Sequence, residues 1–276
     1  MRNKEKTALP PEAQALLSQP HNNNKTGYSV PVDVVDLPSK GRFYSKQHPL
    51  HNKEHVEIKY MTTKEEDILL NRSFHDKGVV FDKLIESLLV NEYIKADSLL
   101  VGDKNSIIIN ARKSAYGPEY PIEIACEVCN TKTQHAFDLS DMGIVNQDPA
   151  VEFTEDGTFL VTLPKTKATL EARLLTSGDE SDILKRIQQK AKHGLPEAPT
   201  TERYRQVVVS VNGERNPIKI AEFISNMPIR DSRHFTKIYN SCNPDVNFTF
   251  SMECDSCTHV NKGVLPITGD FFWPDE

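Results

Sequence analysis

The chain has 276 residues, of which 38% are hydrophobic and 26% are charged. That length and composition support one large domain or two ordinary ones with a hydrophobic core, and they exclude a small scaffold that depends on disulfides. Lysine and arginine number 33 against 39 aspartate and glutamate, a net charge of −6, which disfavours a general nucleic-acid coat because non-specific affinity for phosphate needs excess positive charge.

The first thirty residues contain Pro10, Pro11, Pro20 and a polar run with three consecutive asparagines, with little apolar material to bury. This composition is typical of a disordered tail. The tail has no continuous apolar stretch of the kind found in secretory signals, and no run in the chain approaches the roughly 18 apolar residues of a membrane span. We therefore expect a soluble protein with no membrane partner, in a reducing compartment where cysteines are metal ligands or thiols.

Alternation of apolar and polar residues around Val34 and Ile58 predicts two short strands. Thr62 and Thr63 each precede a glutamate by three positions, which is the capping-box pattern of a helix start. Asp103 is the expected N-cap of a later helix that ends at Gly117.

Period-two patterns predict a three-stranded meander at residues 151–153, 159–163 and 168–174. A capping box at Ser177 and Glu180 predicts the next helix. Residues 202–211 favour a helix although they contain three consecutive valines, Asn216 and Pro217 begin another helix, and Asp231 caps the last one.

Two C-x-x-C pairs carry the strongest chemical signal: Cys126 with Cys129, and Cys254 with Cys257. An alternating strand leads into each pair and a second extended segment follows it. Two such hairpins placed face to face supply four thiolates in a tetrahedron about 2.3 Å from one Zn²⁺, a closed structural site. Because 124 residues separate the two pairs, tertiary structure must assemble the site.

Other interpretations of the four cysteines stay open: a catalytic zinc, a redox pair, disulfides or an iron–sulfur cluster. Four cysteines already fill the shell that a catalytic zinc keeps partly open, redox C-x-x-C motifs accompany a βαβ unit, and disulfides need an oxidising compartment. His135 and His259 lie close enough in sequence to adjust or replace a ligand, whereas Cys242 is expected to be an ordinary buried residue.

The predicted fold is α+β: helices and short β-hairpins, with a Cys₄ zinc-ribbon-like site formed by two distant C-x-x-C hairpins. We expect four regions. They are a disordered tail (1–30), an α+β region with the first hairpin (31–149), an inserted α+β lobe (150–240), and the second hairpin with an aromatic C-terminus that packs on the first (241–276).

A zinc ribbon also allows a second function, that of a nucleic-acid-binding regulator. The hairpins carry acidic residues beside the cysteines, and Lys132 and Lys262 are the only cations nearby. A nucleic-acid surface combines a basic groove with exposed aromatic side chains. The acidic hairpins therefore favour a scaffold or a protein-docking element, and no motif of an enzyme's phosphate loop or nucleophile is present.

Two features are weak candidates for partner binding. The aromatic run Phe271, Phe272 and Trp273 would either fold back over the hairpins or anchor a partner, since Trp is favoured at interface hot spots. Arg230 and Arg233 share one helical side with Lys237, which is either a solvated face or a contact for an acidic partner.

Five segments in order resemble one protein family. They are LPSKGRFY at 37–44, MTTKEED at 61–67, MPIRDSR at 227–233, the paired C-x-x-C hairpins, and FFWP at 271–274. Together they resemble the baseplate hub assembly proteins of T-even-like, contractile-tailed bacteriophages, over residues 31 to 276.

The resemblance implies a structural or assembly role, without catalysis, in the central hub of a phage tail baseplate. The implied partners are other hub or tail proteins of the phage. The implied location is the cytoplasm of the host bacterium during assembly, and then the virion tail baseplate.

Overall fold

A computed structural model describes residues 30–145, 151, 153–196, 198–267 and 269–272 of the chain. The predicted tail, residues 1–30, lies outside the described residues apart from Val30. The described residues from Val32 onward form one compact unit, and the division into three further regions stays a prediction. Within the described ranges, no helix combines the length and apolarity needed to cross a bilayer.

The described residues include eight α-helices and nine β-strands. The helices are α1 (Thr63–Leu69), α2 (Arg72–Asp76), α3 (Val80–Leu88), α4 (Val101–Tyr116), α5 (Ser177–Lys192), α6 (Pro199–Val207), α7 (Pro217–Ser225) and α8 (Ile229–Cys242). The strands are β1 (Val32–Asp36), β2 (His55–Lys59), β3 (Glu119–Ala125), β4 (Lys132–Asp138), β5 (Thr158–Thr162), β6 (Thr169–Arg173), β7 (Val208–Val211), β8 (Thr249–Glu253) and β9 (Val260–Val264).

All strand pairs are antiparallel: the hairpins β1–β2, β3–β4 and β8–β9, and one three-stranded sheet in the order β5–β6–β7. Helices and small hairpins therefore share the chain, which confirms the predicted α+β class. One buried apolar cluster extends from Val35 to Phe272, so that both ends of the compact unit contribute to the same core.

The predicted β1–β2 hairpin and the first capping box are confirmed. The Thr62 hydroxyl donates to Glu65 Oε2 at 2.6 Å, and the Thr62 N–H reaches the same oxygen at 3.0 Å. Helix α1 begins at the next residue. These bonds satisfy N-terminal donors that have no partner within the helix.

Asp103 is not the N-cap of α4, and this prediction was wrong. The helix begins two residues earlier, and Asp103 lies buried in its first turn. Its carboxylate accepts hydrogen bonds from the Ser39 hydroxyl at 2.6 Å and the Tyr44 hydroxyl at 2.7 Å. Tyr44 Oη also accepts the Leu100 N–H at 3.0 Å. The Tyr44 hydroxyl, from a turn that is distant in sequence, therefore accepts the N–H group at the start of this helix. Asp103 in turn fixes that turn to α4.

The predicted meander is correct for β5 and β6 and wrong for its first strand. Among the described residues of this segment, Phe153 forms an isolated bridge with Phe159 and belongs to no strand. The third strand of the sheet is β7, within the segment predicted as helix, where α6 ends at Val207 and Val208 begins the strand. The valine run explains the switch, because β-branched side chains favour extended backbone and pack well in a sheet.

The capping box of α5 is one residue earlier than predicted. It pairs Thr176 with Asp179 instead of Ser177 with Glu180. The shift reflects tertiary contacts, because Asp179 also accepts a bidentate pair of hydrogen bonds from Arg173, at 2.6 and 2.8 Å. Burial opposes ionisation of Asp179, but the hydrogen bonds from Arg173, Thr176 and Gln206 outweigh it and lower its pKa to about 2.

We expect Asp179→Asn to lower the free energy of unfolding at pH 7 by about 2 kcal/mol, because it removes an ion pair and half of a capping box. The folded-state pKa is below the unfolded value, so the wild-type carboxylate stabilises the fold above about pH 5 and loses this effect toward pH 2. Urea unfolding of the wild type and of Asp179→Asn should show that their difference in the free energy of unfolding shrinks between pH 7 and pH 3. Asp182→Asn, at an exposed ion pair, is the control. If the stability difference between wild type and Asp179→Asn were as large at pH 3 as at pH 7, the stabilising role of the ionised Asp179 would be refuted.

The start of α7 at Asn216 and Pro217 is confirmed, and the cap of α8 is not. Helix α8 begins at Ile229, and Asp231 lies buried inside it. Its carboxylate accepts the backbone N–H groups of Lys165 and Thr166 at 2.7 and 2.9 Å. Asp231 therefore holds the β5–β6 turn against the helix, which a local capping pattern does not reveal.

Candidate metal centre

The segments that flank the two C-x-x-C hairpins are joined to each other. Residues 143–145 follow the first hairpin and residues 245–247 precede the second, and the two segments pair through an Ile144–Val246 bridge and a Val145 N–H to Asp245 O bond of 2.8 Å. Gly102 of α4 admits this crossing, since an added Cβ would lie 2.0 Å from Pro244 O. The hairpins are thus brought side by side although they are far apart in sequence.

Each hairpin folds its cysteines in the same way. The Cys126 N–H bonds Thr131 O at 2.9 Å and the Asn130 N–H bonds Cys126 O at 2.9 Å. Cys254 makes the equivalent bonds in the second hairpin. Its N–H donates to His259 O at 2.9 Å, and its carbonyl accepts the Thr258 N–H at 3.0 Å. These tight turns aim both sulfurs of a pair to one side.

The four sulfur atoms converge between the hairpins. Two pairs, Cys126–Cys257 and Cys129–Cys254, each join different hairpins at an Sγ–Sγ distance of 3.6 Å. All four Sγ atoms lie within 4.8 Å of one another. A tetrahedron with metal–sulfur bonds of about 2.3 Å has sulfur–sulfur edges of about 3.8 Å. The cluster therefore fits one tetrahedral metal ion, and thiolate ligands suit zinc.

The acid–base properties of the thiols differ within the cluster. Hydrogen bonding with the Thr131 hydroxyl, with a further bond to its backbone, lowers the pKa of Cys129 to about 6. Bonding to the His259 backbone favours the Cys257 thiolate, but hydrogen bonds with the other sulfurs and burial outweigh it and raise the pKa of Cys257 to about 12. Four adjacent thiolates repel one another, so a cation is needed to hold all four deprotonated.

Asn261 is a site residue that sequence analysis missed. It is 3% exposed, and its Oδ1 accepts the Glu127 N–H from the opposite hairpin at 3.1 Å. Its buried Nδ2 has no hydrogen-bond partner among the described residues. Asn261 ties β9 to the first cysteine turn. The available signal was an asparagine inside a strand, where this residue type is uncommon.

The remaining residues near the cysteines are not part of the sulfur cluster. His135 packs edge-on against Phe137, with ring centroids 5.4 Å apart, and His259 contributes backbone groups to its turn. Lys132 is paired with Glu123 at 2.6 Å, so one of the two nearby cations is already neutralised. Cys242 is fully buried, as predicted.

Phe271 and Phe272 fold back into the protein. They are 1% and 0% exposed, and the Phe271 ring meets Tyr120 of β3 edge-on with centroids 5.0 Å apart. This arrangement corresponds to the first alternative left open by the sequence, because the two rings are covered by the chain itself and not available to a partner. Trp273 lies outside the described residues.

Arg112 holds this C-terminal segment, and sequence analysis missed it. The guanidinium is fully buried and donates to three backbone carbonyls, those of Phe271 at 2.8 Å, Gly117 at 2.9 Å and Glu119 at 2.9 Å. The Tyr120 ring lies 5.5 Å from it. An arginine four residues after Ile108, on the apolar face of α4, was the signal in the sequence.

Arg230 and Arg233 are exposed on α8 together with Lys237. Within the part of the chain that the structure describes, the ion pairs do not include any of these three cations. The structure shows that these three cations are exposed, and a contact with an acidic partner stays a prediction.

We expect Thr258→Gly to raise the free energy of unfolding by about 0.5 to 1 kcal/mol. Thr258 has a φ of 55°, a left-handed conformation that is costly for a β-branched residue and free for glycine, whose own entropic cost offsets part of the gain. Asn130→Gly, at the equivalent φ of 57°, is the control and should change less because asparagine tolerates this region. Thermal unfolding measures the stability of both variants. A Thr258→Gly protein less stable than the wild type would contradict the claim that the backbone at Thr258 is strained.

The fold and the sulfur geometry define a class: an α+β protein whose cysteine hairpins, contributed by distant parts of the chain, can hold one metal ion. The family follows from the comparison with known proteins. The chain belongs to the family of T4 bacteriophage base plate proteins, whose model matches residues 33–273. No curated protein and no solved structure matches it.

Proposed function

We propose that the protein is a structural or assembly component of the baseplate hub of a contractile phage tail, stabilised by one structural zinc ion. Family membership over residues 33–273 supports the baseplate role. The observation that carries the zinc is the convergence of four sulfurs within 4.8 Å. A role in building a protein assembly fits these features better than catalysis does.

The four cysteines, Cys126, Cys129, Cys254 and Cys257, would hold the metal. A bound Zn²⁺ supplies coordination bonds without redox chemistry, and four sulfur ligands leave no open position for a substrate. The protein groups around it position the sulfurs: Asn261 links the two hairpins, and the turn hydrogen bonds fix the cysteine backbones. The ion would thus fasten the two hairpins to each other.

The nucleic-acid alternative has less support. Acidic residues, Glu123, Glu127, Glu253 and Asp255, flank the cysteines in the sequence, and the ion pair of Lys132 neutralises one of the two local cations. Phosphate binding needs unpaired basic groups beside the docking element. We infer that the partners are other hub or tail proteins of the phage. The protein would meet them in the cytoplasm of the host and remain with them in the tail baseplate.

Co-expression with the hub proteins of the same phage tests this role. We expect at least one stable complex on size-exclusion chromatography, with cross-links to hub subunits in tails isolated during assembly. The capsid protein of the same phage, co-expressed in the same way, is the control and should elute separately. If the protein joins no hub protein and is absent from assembly intermediates, the proposed function is wrong.

A further inference from the structure

Asn261 carries a buried hydrogen-bond donor without an acceptor. The residue is 3% exposed, and its Nδ2 is one of two buried side-chain atoms without a hydrogen-bond partner among the described residues. The other atom, Arg186 Nε, lies 3.7 Å from the Glu202 carboxylate, so an ion pair compensates it. Buried polar groups in native proteins are nearly always satisfied. The Asn261 amide is therefore the buried group that still needs an acceptor.

The fold places this amide between the two cysteine turns. Asn261 is the strand partner of Met252 in the β8–β9 hairpin. Side chains two residues apart share a face of a sheet, so Cys254 lies on the same face, diagonal to Asn261. Burial agrees, since Met252 is 4% and Cys254 is 2% exposed. On its other side, Asn261 Oδ1 accepts the Glu127 N–H of the opposite hairpin at 3.1 Å.

The same hydrogen bond fixes which way the amide is oriented. The Glu127 N–H needs an oxygen acceptor, so the oxygen of Asn261 faces the first cysteine turn and Nδ2 occupies the other arm of the amide. Bulk water does not reach Nδ2 because the atom is buried. Its acceptor must therefore be a group of the protein that lies beside Asn261.

Sulfur ligands become good acceptors when they hold a cation. A neutral thiol is a weak acceptor, whereas a metal ligand is a thiolate, and hydrogen bonds to charged acceptors are roughly twice as strong as neutral ones. Donors of their own turns already serve three of the sulfurs: the N–H groups of Val128 and Cys129 for Cys126, Thr131 for Cys129, and the His259 N–H for Cys257. For Cys254, the structure shows a bond with another sulfur, that of Cys129, at 3.6 Å.

We propose that Asn261 Nδ2 donates a hydrogen bond to the Cys254 sulfur when that sulfur is a metal ligand. Asn261 is then a positioning residue of the metal centre: its oxygen holds the first cysteine turn, and its nitrogen stabilises the thiolate of the second. Partners that hydrogen-bond metal ligands typically change metal affinity by about 10- to 100-fold. The inference rests on the proposed zinc site and adds to it a residue that sets how tightly the four sulfurs hold the ion.

The test uses the full chain loaded with Zn²⁺ and, separately, with Co²⁺. Asn261→Leu keeps the approximate shape of the side chain and removes the donor. We expect zinc affinity, measured by competition with a chelating indicator, to fall at least about tenfold. The sulfur-to-cobalt charge-transfer band should move to longer wavelength, because loss of a hydrogen bond raises the energy of the sulfur electrons. Met252→Ala is the control: it removes packing beside Asn261 and should leave the band in place.

Asn261→Asp separates the two halves of the amide. It keeps an oxygen for the Glu127 N–H and replaces the donor with a second oxygen, which repels thiolates. We expect zinc affinity to fall at least as far as in Asn261→Leu. Asn247→Asp adds the same charge at an exposed asparagine before β8 and should leave the affinity unchanged. An Asn261→Asp protein that binds zinc as tightly as the wild type would overturn the proposal, since the bond to Glu127 would then suffice.

Nuclear magnetic resonance of the wild type tests the hydrogen bond without a substitution. With asparagine labelled with ¹⁵N, the Asn261 side-chain amide signal should shift when Zn²⁺ is added, and its protons should exchange more slowly with water. An amide signal that zinc leaves unchanged would overturn the inference, even if Asn261→Leu fails to fold.

The outcomes separate this inference from the proposed function. If the wild type binds zinc but Asn261→Leu keeps its affinity and its cobalt band, the zinc site stands and the role of Asn261 is wrong. If the wild type binds neither metal, the proposed zinc is wrong and this inference fails with it. Co-expression with hub proteins tests the baseplate role independently of both results.

Discussion

Replacing Cys254 with serine is expected to abolish tight zinc binding and to lower the free energy of unfolding by several kcal/mol. Structural zinc sites contribute about 10 to 16 kcal/mol in small peptides, which is comparable with the roughly 5 to 15 kcal/mol net stability of a domain. A serine hydroxyl is a poor replacement for a thiolate ligand, and three sulfurs would remain crowded at 3.6 to 4.8 Å. Metal content and urea unfolding measure the two effects.

Two variants control this experiment. Cys242→Ser makes the same chemical change at a buried cysteine outside the cluster, so it should keep the zinc even if burying a hydroxyl costs stability. Ser256→Ala changes an exposed residue within the second C-x-x-C turn and should alter neither quantity. A Cys254→Ser protein with one tightly bound zinc and wild-type stability would contradict the site.

Replacing Arg112 with alanine should lower the free energy of unfolding by about 3 to 5 kcal/mol. The change leaves three carbonyls without their charged donor and opens a cavity in the core. Arg112→Lys should recover only part of the loss, because an ammonium group lacks the planar fork that reaches three carbonyls at once. Urea unfolding measures stability, and limited proteolysis follows release of the segment around Phe271.

Lys113→Ala is the control for this series, since it changes the next residue of α4, which is only half-buried. We expect it to change stability by about 0.5 kcal/mol or less. Arg112 would be shown to be unimportant if its alanine variant behaved like that of Lys113, or if the C-terminal segment resisted proteolysis equally in the wild type and in Arg112→Ala.

The sequence predicted those features that depend on local pattern. Period-two alternation located the hairpins, Thr62 and Asn216 marked helix starts, and the cysteine spacing defined the chemistry of the cluster. The switch from α6 to β7 within residues 202–211 was missed because the valine run favours a strand while its neighbours favour a helix, and pairing with β6 decides the outcome.

Roles set by distant partners could not be predicted. Asp103 and Asp231 have the residue type of a helix cap, but their hydrogen-bond partners are 59 to 66 positions away. Arg112 bonds a carbonyl 159 positions away, and Asn261 reaches across to the other hairpin. A buried polar group must be satisfied, but the sequence does not show which chain segment satisfies it.

Native mass spectrometry of the freshly purified protein, combined with alkylation of its thiols, tests the metal centre most directly. We predict one zinc ion per chain and protection of Cys126, Cys129, Cys254 and Cys257 until a chelator removes the metal. A chain without bound metal, whose four cysteines are alkylated freely in the folded protein, would contradict the proposal that this ion joins its two hairpins.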